Sequence, residues 1–452
     1  MHPRNSHGLQ RLDFGKLADV YPELQQYISN NSFEFNKPEA LIALTTILLK
    51  QDFDLNVTLD PDRLVPRIPN RLNYIYWIQD LLDSDSIDDH DHDQGKPIPV
   101  LGLDIGTGAS CIYPLLACRL RPSWQFIGSD VDSRSIELAI ANVNQNNLQH
   151  QIKICQTDPE GDFFDFAPHL HHQNNRDGEF SFTMCNPPFY ESVNDVARSS
   201  AEKQPDNEFF ACMTGTDTEM VTNGGEYEFV RRMILESINR FKAMPRTGHT
   251  WYTCMLGKLQ TLKLIVHDFK TWAQISNHVV TELVQGNTTT RRWAIAWRFG
   301  FHRVVPELAR PSNPVPSVAV RSLLPLPTGI TIQFDHNNSK DGQKKVLSFE
   351  LIQTVLSQFD DLEFKLINHQ SDNKQYGLGR STHGNVWSRK YKRQKKFQND
   401  INASPTIESE FQFRIFLSDD NNTATVHWKY GNSFNTFESF CGMLKTKIND
   451  NL

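Results

Sequence analysis

Between Pro99 and Phe301, short apolar runs alternate with helix-patterned stretches, and this alternation restricts the fold more than any other feature of the chain. VLGLDIG is an apolar run ending in glycine, and SCIYPLLACRL behind it has helical spacing. The order repeats in WQFIGSDVD and SIELAIANVNQNN, followed by QIKICQTD. FSFTMCNPPF is a further strand, and GGEYEFVRRMILESINRF is a helix with an acidic first turn. TWYTCMLG, HVVTELVQ and RRWAIAWRF complete the series as late strands with a connecting helix. Strands separated by helices need crossover connections, so the expected class is α/β, a parallel doubly wound sheet over residues 99–301.

The flanks are different. Residues 1–82 are patterned as a helical N-terminal module. Pro38 opens a helix carrying Leu41, Leu44, Leu48 and Leu49, and a second, short helix is marked by Leu72, Ile75, Tyr76 and Ile78. An acidic linker at 83–98 contains DSDSIDDHDHD; alternating aspartate with His90 and His92 reads as a solvated loop, and no metal is expected. Residues 302–327 hold six prolines and read as a linker. Residues 328–452 follow a β-α-β-β-β-α order, a small α+β domain interrupted at 371–409 by a polar loop with the run SRKYKRQKKF.

A chain of 452 residues can bury two or three cores. Its net charge of -7 gives no overall attraction to nucleic acid, so any such contact must come from local basic patches. Seven cysteines form no CxxC pair and lie mostly in apolar runs, which argues against a disulfide framework or zinc knuckle and for a reducing compartment. The N-terminus lacks an apolar signal core and no apolar run reaches membrane-spanning length, so a soluble intracellular protein is expected, with no membrane partner.

Three motifs carry chemistry. Asp104-Ile105-Gly106-Thr107-Gly108 closes a strand and opens a helix, where glycines let backbone approach a ligand and the helix N-terminus favours an anionic group. Its DxGxG spacing, unlike GxGxxG, points to the methionine end of S-adenosylmethionine. Asp130 ends the next strand, where an acid accepts hydrogen bonds from ribose hydroxyls, while Asp132 is the better placed helix cap. Asn186-Pro187-Pro188-Phe189 ends a later strand. A conjugated amine is a poor nucleophile because its lone pair is delocalised. The Asn186 carboxamide oxygen and the Pro187 carbonyl can each accept one of its N–H groups, prolines preorganise these acceptors, and Phe189 offers a face to an extruded base. Catalysis is thus assigned to Asn186, Pro187 and Phe189, with Asn186 also facing the cofactor.

The segments RLNYIYWIQDLL, LDIGTGASCIYPLL, MCNPPF, GGEYEFVRRMI, WYTCMLGK and RRWAIAW together resemble the methyltransferase-like family that methylates adenine N6 in U6 spliceosomal RNA, with bacterial relatives acting on large-subunit ribosomal RNA. The likeness covers roughly residues 1–300. It implies a Rossmann-like methyltransferase fold, S-adenosylmethionine as cofactor, a structured RNA substrate (U6 small nuclear RNA) and a nuclear protein, with the cytoplasm also open. It further implies that Arg71 helps bind the cofactor, that Ser110 lies beside its methionine end, that Arg4 belongs to an RNA-facing N-terminal arm, and that Arg291 or Arg292 faces RNA.

A third RNA contact is read from the loop 374–399, with eight Lys or Arg, no acid, and Trp387, Tyr391 and Phe397 interleaved. Arg389, Lys390, Lys392, Arg393, Lys395 and Lys396 suit phosphate contact beside stacked bases, or nuclear import, or both. Two segments depart from the family. The stretch after NPPF is mixed in charge where relatives are more basic, and CQTDPEGDFF lacks the lysine that relatives carry near the cofactor. Transfer to a protein glutamine amide, or RNA binding without catalysis, are the competing readings of the same residues.

Overall fold

The computed structural model describes residues 2–6, 12–29, 32–86, 100–166, 179–192, 194–195, 216–284, 291–312, 315–334, 346–368, 375–397, 410–419 and 422–451. His90, His92, Cys212 and most of the stretch after NPPF lie outside these. The chain forms two compact units: Met1–Phe299 with Pro316–Leu323, and Gly300–Val315 with Leu324–Leu452.

In the first unit, helices α1 (Phe14–Val20), α2 (Pro38–Phe53) and α3 (Ile68–Ser86) precede a seven-stranded sheet. Its strands are β1 (Val100–Ile105), β2 (Trp124–Asp130), β3 (Ile152–Gln156), β4 (Phe182–Cys185), β5 (Trp251–Leu256), β6 (His278–Val284) and β7 (Arg291–Trp297). The spatial order is β3-β2-β1-β4-β5-β7-β6. Helices α4 (Ile112–Leu120), α5 (Ser133–Gln145), α6 (Gly225–Ala243) and α7 (Leu259–Thr271) lie along the connections. The first five strands are parallel, and β5 is buried over its whole length, which is why it reads as an unbroken apolar run. The sheet is not wholly parallel as expected: β7 runs antiparallel to both neighbours. A short connection from β6 to β7 permits only an antiparallel return, since parallel pairing needs a crossover.

Two expected boundaries move. The helix over Leu72–Ile78 is not short; it runs nineteen residues to Ser86, into the acidic segment. Its buried stripe continues to Leu81, and Asp85 accepts Trp251 Nε1 (3.0 Å) and Arg298 Nη1 (2.7 Å), so the first aspartates belong to the fold. The N-terminal module is likewise part of the first unit: Asn142 of α5 accepts Thr58 N–H (2.7 Å) and donates to Thr58 O (3.1 Å). The proline-rich stretch 302–327 is no free tether either. Ser317 bonds Glu282 through N–H (2.9 Å) and hydroxyl (2.7 Å), whereas buried Arg303 donates to Gly431 O and lies 4.3 Å from the Trp428 ring centroid.

The second unit is a five-stranded antiparallel sheet of β8 (Gly329–Gln333), β9 (Leu362–Asn368), β10 (Gln375–Ser381), β11 (Phe411–Leu417) and β12 (Thr423–Tyr430), ordered β8-β12-β11-β10-β9. Helices α8 (Phe349–Leu356), α9 (Arg389–Phe397) and α10 (Phe434–Asn449) accompany it. Its core joins Phe411, Phe413, Trp428, Phe437 and Phe440. A polar loop is expected from the sequence where β10 and α9 stand. Strand β10, QYGLGRS, hides because its inward positions are two glycines and a serine, with no apolar side chain among them. A Cβ on Gly377 would meet Phe364 Cζ at 2.3 Å, and one on Gly379 would meet Phe413 Cζ at 2.0 Å. Gly379→Val should therefore destabilise this unit by about 1–3 kcal/mol through overpacking, seen as a lower unfolding transition in calorimetry; an unchanged transition would contradict the packing.

Candidate active site

Register brings the three motifs to one edge. Ile105 pairs with Ser129 of β2 and with Cys185 of β4, so Gly106, Asp130 and Asn186 leave adjacent strand ends together. Chain order reverses between β1 and β4, the crevice where open α/β sheets hold ligands. Gly106 and Gly108 have φ of 71° and 65°, and a Cβ at either would meet nothing within 4 Å. The turn thus keeps a space open at backbone angles that other residues resist. The expected anion site at its helix N-terminus is not formed by these N–H groups. Gly106 and Thr107 donate to Ser129 O (2.9 Å each), Gly108 donates to Asp130 Oδ2 (2.8 Å), and α4 begins only at Ile112.

Asp104 is fully buried and neither carboxylate oxygen has a hydrogen-bond partner. Burial pushes its pKa up to about 7. Thr107 lies near enough to temper that rise, yet its Oγ1 is outside hydrogen-bond geometry and also unpartnered. Arg71 on α3 lowers it further, through charge. That guanidinium donates to Tyr113 Oη (3.0 Å), lies 5.2 Å from the Tyr113 ring centroid and leaves Nε unpartnered. Ser110 sits half-buried in the turn. Asp130 accepts Asp132 N–H at Oδ1 (3.0 Å) besides Gly108, and burial raises its pKa. Each carboxylate oxygen retains a second lone pair. Asp132 is the cap of α5, accepting Ser135 N–H (2.8 Å), and pairs with Arg63 (2.9 Å).

At the end of β4, Asn186 is half-buried with an unpartnered Oδ1, and Pro187 is buried behind it. The preceding peptide is held by Tyr74 of α3, whose hydroxyl accepts Cys185 N–H (3.4 Å) and lies 2.6 Å from Thr253 Oγ1. The Phe189 ring is bounded by backbone on one side: a Cβ on Gly257 would stand 2.9 Å from its Cδ1. The Arg292 guanidinium lies 5.3 Å from the ring centroid, in cation–π range. Burial, then the charge of Arg71, lowers the Arg292 pKa. Arg291 instead points outward and pairs with Glu282 (3.3 Å).

Other expected RNA contacts are placed differently. Arg4 is engaged by α3: it donates to Asp80 Oδ1, to Gln79 Oε1 (3.1 Å) and to Tyr76 O (3.0 Å), so it clamps the N-terminal arm. Arg389, Lys390, Lys392, Arg393 and Lys395 are exposed on helix α9, and the side chain of Lys396 lies outside the described residues. The aromatics beside them are not free platforms. Trp387 is buried and donates to Ser439 Oγ (3.0 Å), while Tyr391 donates to Asp361 (2.9 Å). Lys395 pairs with the same carboxylate (2.6 Å), and Lys392 lies 4.9 Å from the Phe359 ring centroid. Among the described residues there is no metal-holding cluster and no helix long and apolar enough to cross a membrane. The six described cysteines are all free and buried.

The model of the RNA methyltransferase family matches residues 1–300. The chain belongs to this family. Schizosaccharomyces pombe has a U6 small nuclear RNA (adenine-(43)-N(6))-methyltransferase 33% identical over 435 residues, covering 96% of this chain and 99% of that protein. Human RNA N(6)-adenosine-methyltransferase METTL16 is 34% identical over 339 residues, and the chain spans only 56% of its length. A crystal structure of the hMettl16 catalytic domain with the MAT2A 3′UTR hairpin 1 superposes with a TM-score of 0.55 at 35% identity, covering 66% of this chain and 95% of that one. The N-terminal domain of human METTL16 in complex with SAH gives a TM-score of 0.50 over 66% of this chain and 98% of that one, also at 35% identity.

Two residues at the site are not singled out by the sequence: Tyr74 lies in a quoted motif, but a buried tyrosine has ordinary structural uses, and Gly257 has the look of a strand end.

Proposed function

We propose that this chain transfers a methyl group from S-adenosylmethionine to N6 of an adenine in structured RNA, with U6 small nuclear RNA as substrate. The observation that carries this reading is the buried, unpartnered Oδ1 of Asn186 at the switch point of the sheet. A buried acceptor without a donor costs free energy unless a ligand supplies one. An adenine amino group has the two N–H bonds that Asn186 Oδ1 and the Pro187 carbonyl would accept, and this draws its electron density toward the nitrogen.

The residues around the glycine turn fit the cofactor. Asp104, Thr107 and Arg71 all present buried atoms lacking a partner, suited to an ammonium and a carboxylate, and Asp130 keeps acceptor capacity for ribose hydroxyls. The bound cofactor supplies a methyl group activated by a sulfonium. The protein's share is to exclude water, orient the amine and hold the base against Phe189. Relatives named for U6 and for N6-adenosine methylation support the substrate, and nuclear residence belongs to the same proposal.

The test is methyl transfer to a U6 transcript, with N6-methyladenosine read by mass spectrometry. Label appearing only in protein glutamine, or in no acceptor, would overturn the reading. RNA binding extends to helix α9, where Arg389, Lys390 and Arg393 are exposed and pair with no carboxylate among the described residues. Reversing all three to Glu should weaken U6 binding about tenfold at low salt, with the gap closing as salt rises; equal affinity at low salt would exclude the helix.

A further inference from the structure

The motifs GGEYEF and MLGK acquire a role when traced through the NPPF segment. Beyond Phe189, Tyr190 exchanges backbone bonds with the 220–222 stretch: its N–H donates to Met220 O and its carbonyl accepts Thr222 N–H, both at 3.0 Å. That stretch leads into Gly224 and Gly225, and Gly225 lies against Glu191, with its Cβ position 3.6 Å from Glu191 Cβ. Glu226 follows at the start of α6, only 1% exposed. Its side chain does not serve its own helix. It accepts Gly257 N–H at Oε1 and Lys258 N–H at Oε2 (3.3 Å).

Lys258 is the N-cap of α7 and has no side-chain cap of its own, so a carboxylate from a neighbouring helix caps α7. Gly257, fixed by that carboxylate, is the residue whose Cβ position stands 2.9–3.1 Å from Phe189 Cδ1, Cε1 and Cγ. The loop thus closes on itself: NPPF to Tyr190, to the 220–222 stretch, to Glu226, to Gly257 and back to the Phe189 ring.

We infer that Glu226 and Gly257 are positioning residues for methyl transfer: the buried carboxylate sets the 257–258 turn, and the bare Gly257 backbone sets where the Phe189 ring meets the target base. This rests on the proposed function, because it takes Phe189 as the face of the base pocket. Neither residue touches the reacting atoms. Each acts through the ring. Gly257 is outside the left-handed region, so alanine is allowed by its backbone and the nearest atoms its methyl group meets are those of the ring.

The test compares Gly257→Ala, Glu226→Ala, Glu226→Gln and Phe189→Ala in the full chain. It measures single-turnover methyl transfer, S-adenosylhomocysteine affinity, and fluorescence of a U6 transcript carrying 2-aminopurine at the acceptor adenine. Gly257→Ala should slow transfer about tenfold or more, as expected for a displacement of roughly 1 Å near the reaction. It should also weaken the fluorescence quenching caused by stacking, while cofactor affinity stays within about twofold, since the glycine turn at 106–108 is untouched. Glu226→Ala should act in the same direction, and Glu226→Gln, which keeps an acceptor oxygen, should fall between it and the native chain. If Glu226→Ala fails to fold, Gly257→Ala decides alone. Native transfer and native quenching in Gly257→Ala, with both lost in Phe189→Ala, overturn this inference and leave the pocket standing. Native behaviour in Phe189→Ala overturns the pocket itself.

Discussion

Asn186→Ala should slow methyl transfer by about 10²–10³-fold while S-adenosylhomocysteine binding changes little, the magnitude usual for deleting one preorganised polar group at a reacting centre. Oδ1 of Asn186 has no partner among the described residues, so the fold loses no hydrogen bond with it. What disappears is an acceptor aimed at the amine. Stability should hold or rise slightly, because an uncompensated buried polar atom is removed. Asn186→Asp keeps an acceptor of equal reach and should retain part of the rate. Single-turnover kinetics with U6 RNA checks both variants. Transfer by Asn186→Ala at more than a tenth of the native rate would remove the amide from the mechanism.

Asp104→Asn should have opposed effects, with cofactor affinity falling about 100-fold or more and the unliganded protein becoming more stable above neutral pH. The sign follows from linkage. Burial raises the carboxyl pKa from 3.8 to about 7 in the folded protein, so between these values the unfolded chain is ionised and the folded one holds the proton. Stability from this group therefore falls as pH rises from about 4 to about 7 and is level above that, a loss of at most about 4 kcal/mol. The asparagine variant lacks that loss, so its gain in Tm over the native chain should be large at pH 8 and small at pH 5. Binding a cationic cofactor group beside Asp104 should also release a proton below pH 7, measurable by calorimetry in buffers of different ionisation enthalpy. A Tm difference independent of pH would contradict an uncompensated carboxylate at this position.

Much of this was legible beforehand because each signal was local. Apolar runs such as WYTCML are continuous where the sheet is buried on both faces, and glycines mark the turn where backbone stays open to a ligand. The cap at Asp132 followed from its place before a helix. Misreadings arose where one pattern serves two structures. RKYKRQKKF has no apolar stripe, so it resembles a loop; it is helical because Trp387 and Tyr391 anchor it to the core of its unit. The same interleaving of aromatic and basic residues that suggests a stacking platform also describes a helix held down by its rings. QYGLGRS has no apolar inward side chain because two phenylalanines from neighbouring strands fill the space above its glycines.

By itself the sequence determined the order of strands and helices over residues 99–301 and the chemical types at Asp104, Asp130 and Asn186, since these depend on residues near one another along the chain. Only the tertiary structure decided which polar groups are left without partners. Arg4 proved neutralised by Asp80, seventy-six residues away, whereas the oxygens of Asp104 and Asn186 remained unpaired at adjoining strand ends. Pairing depends on what burial brings within about 3 Å, and no pattern along the chain encodes that distance.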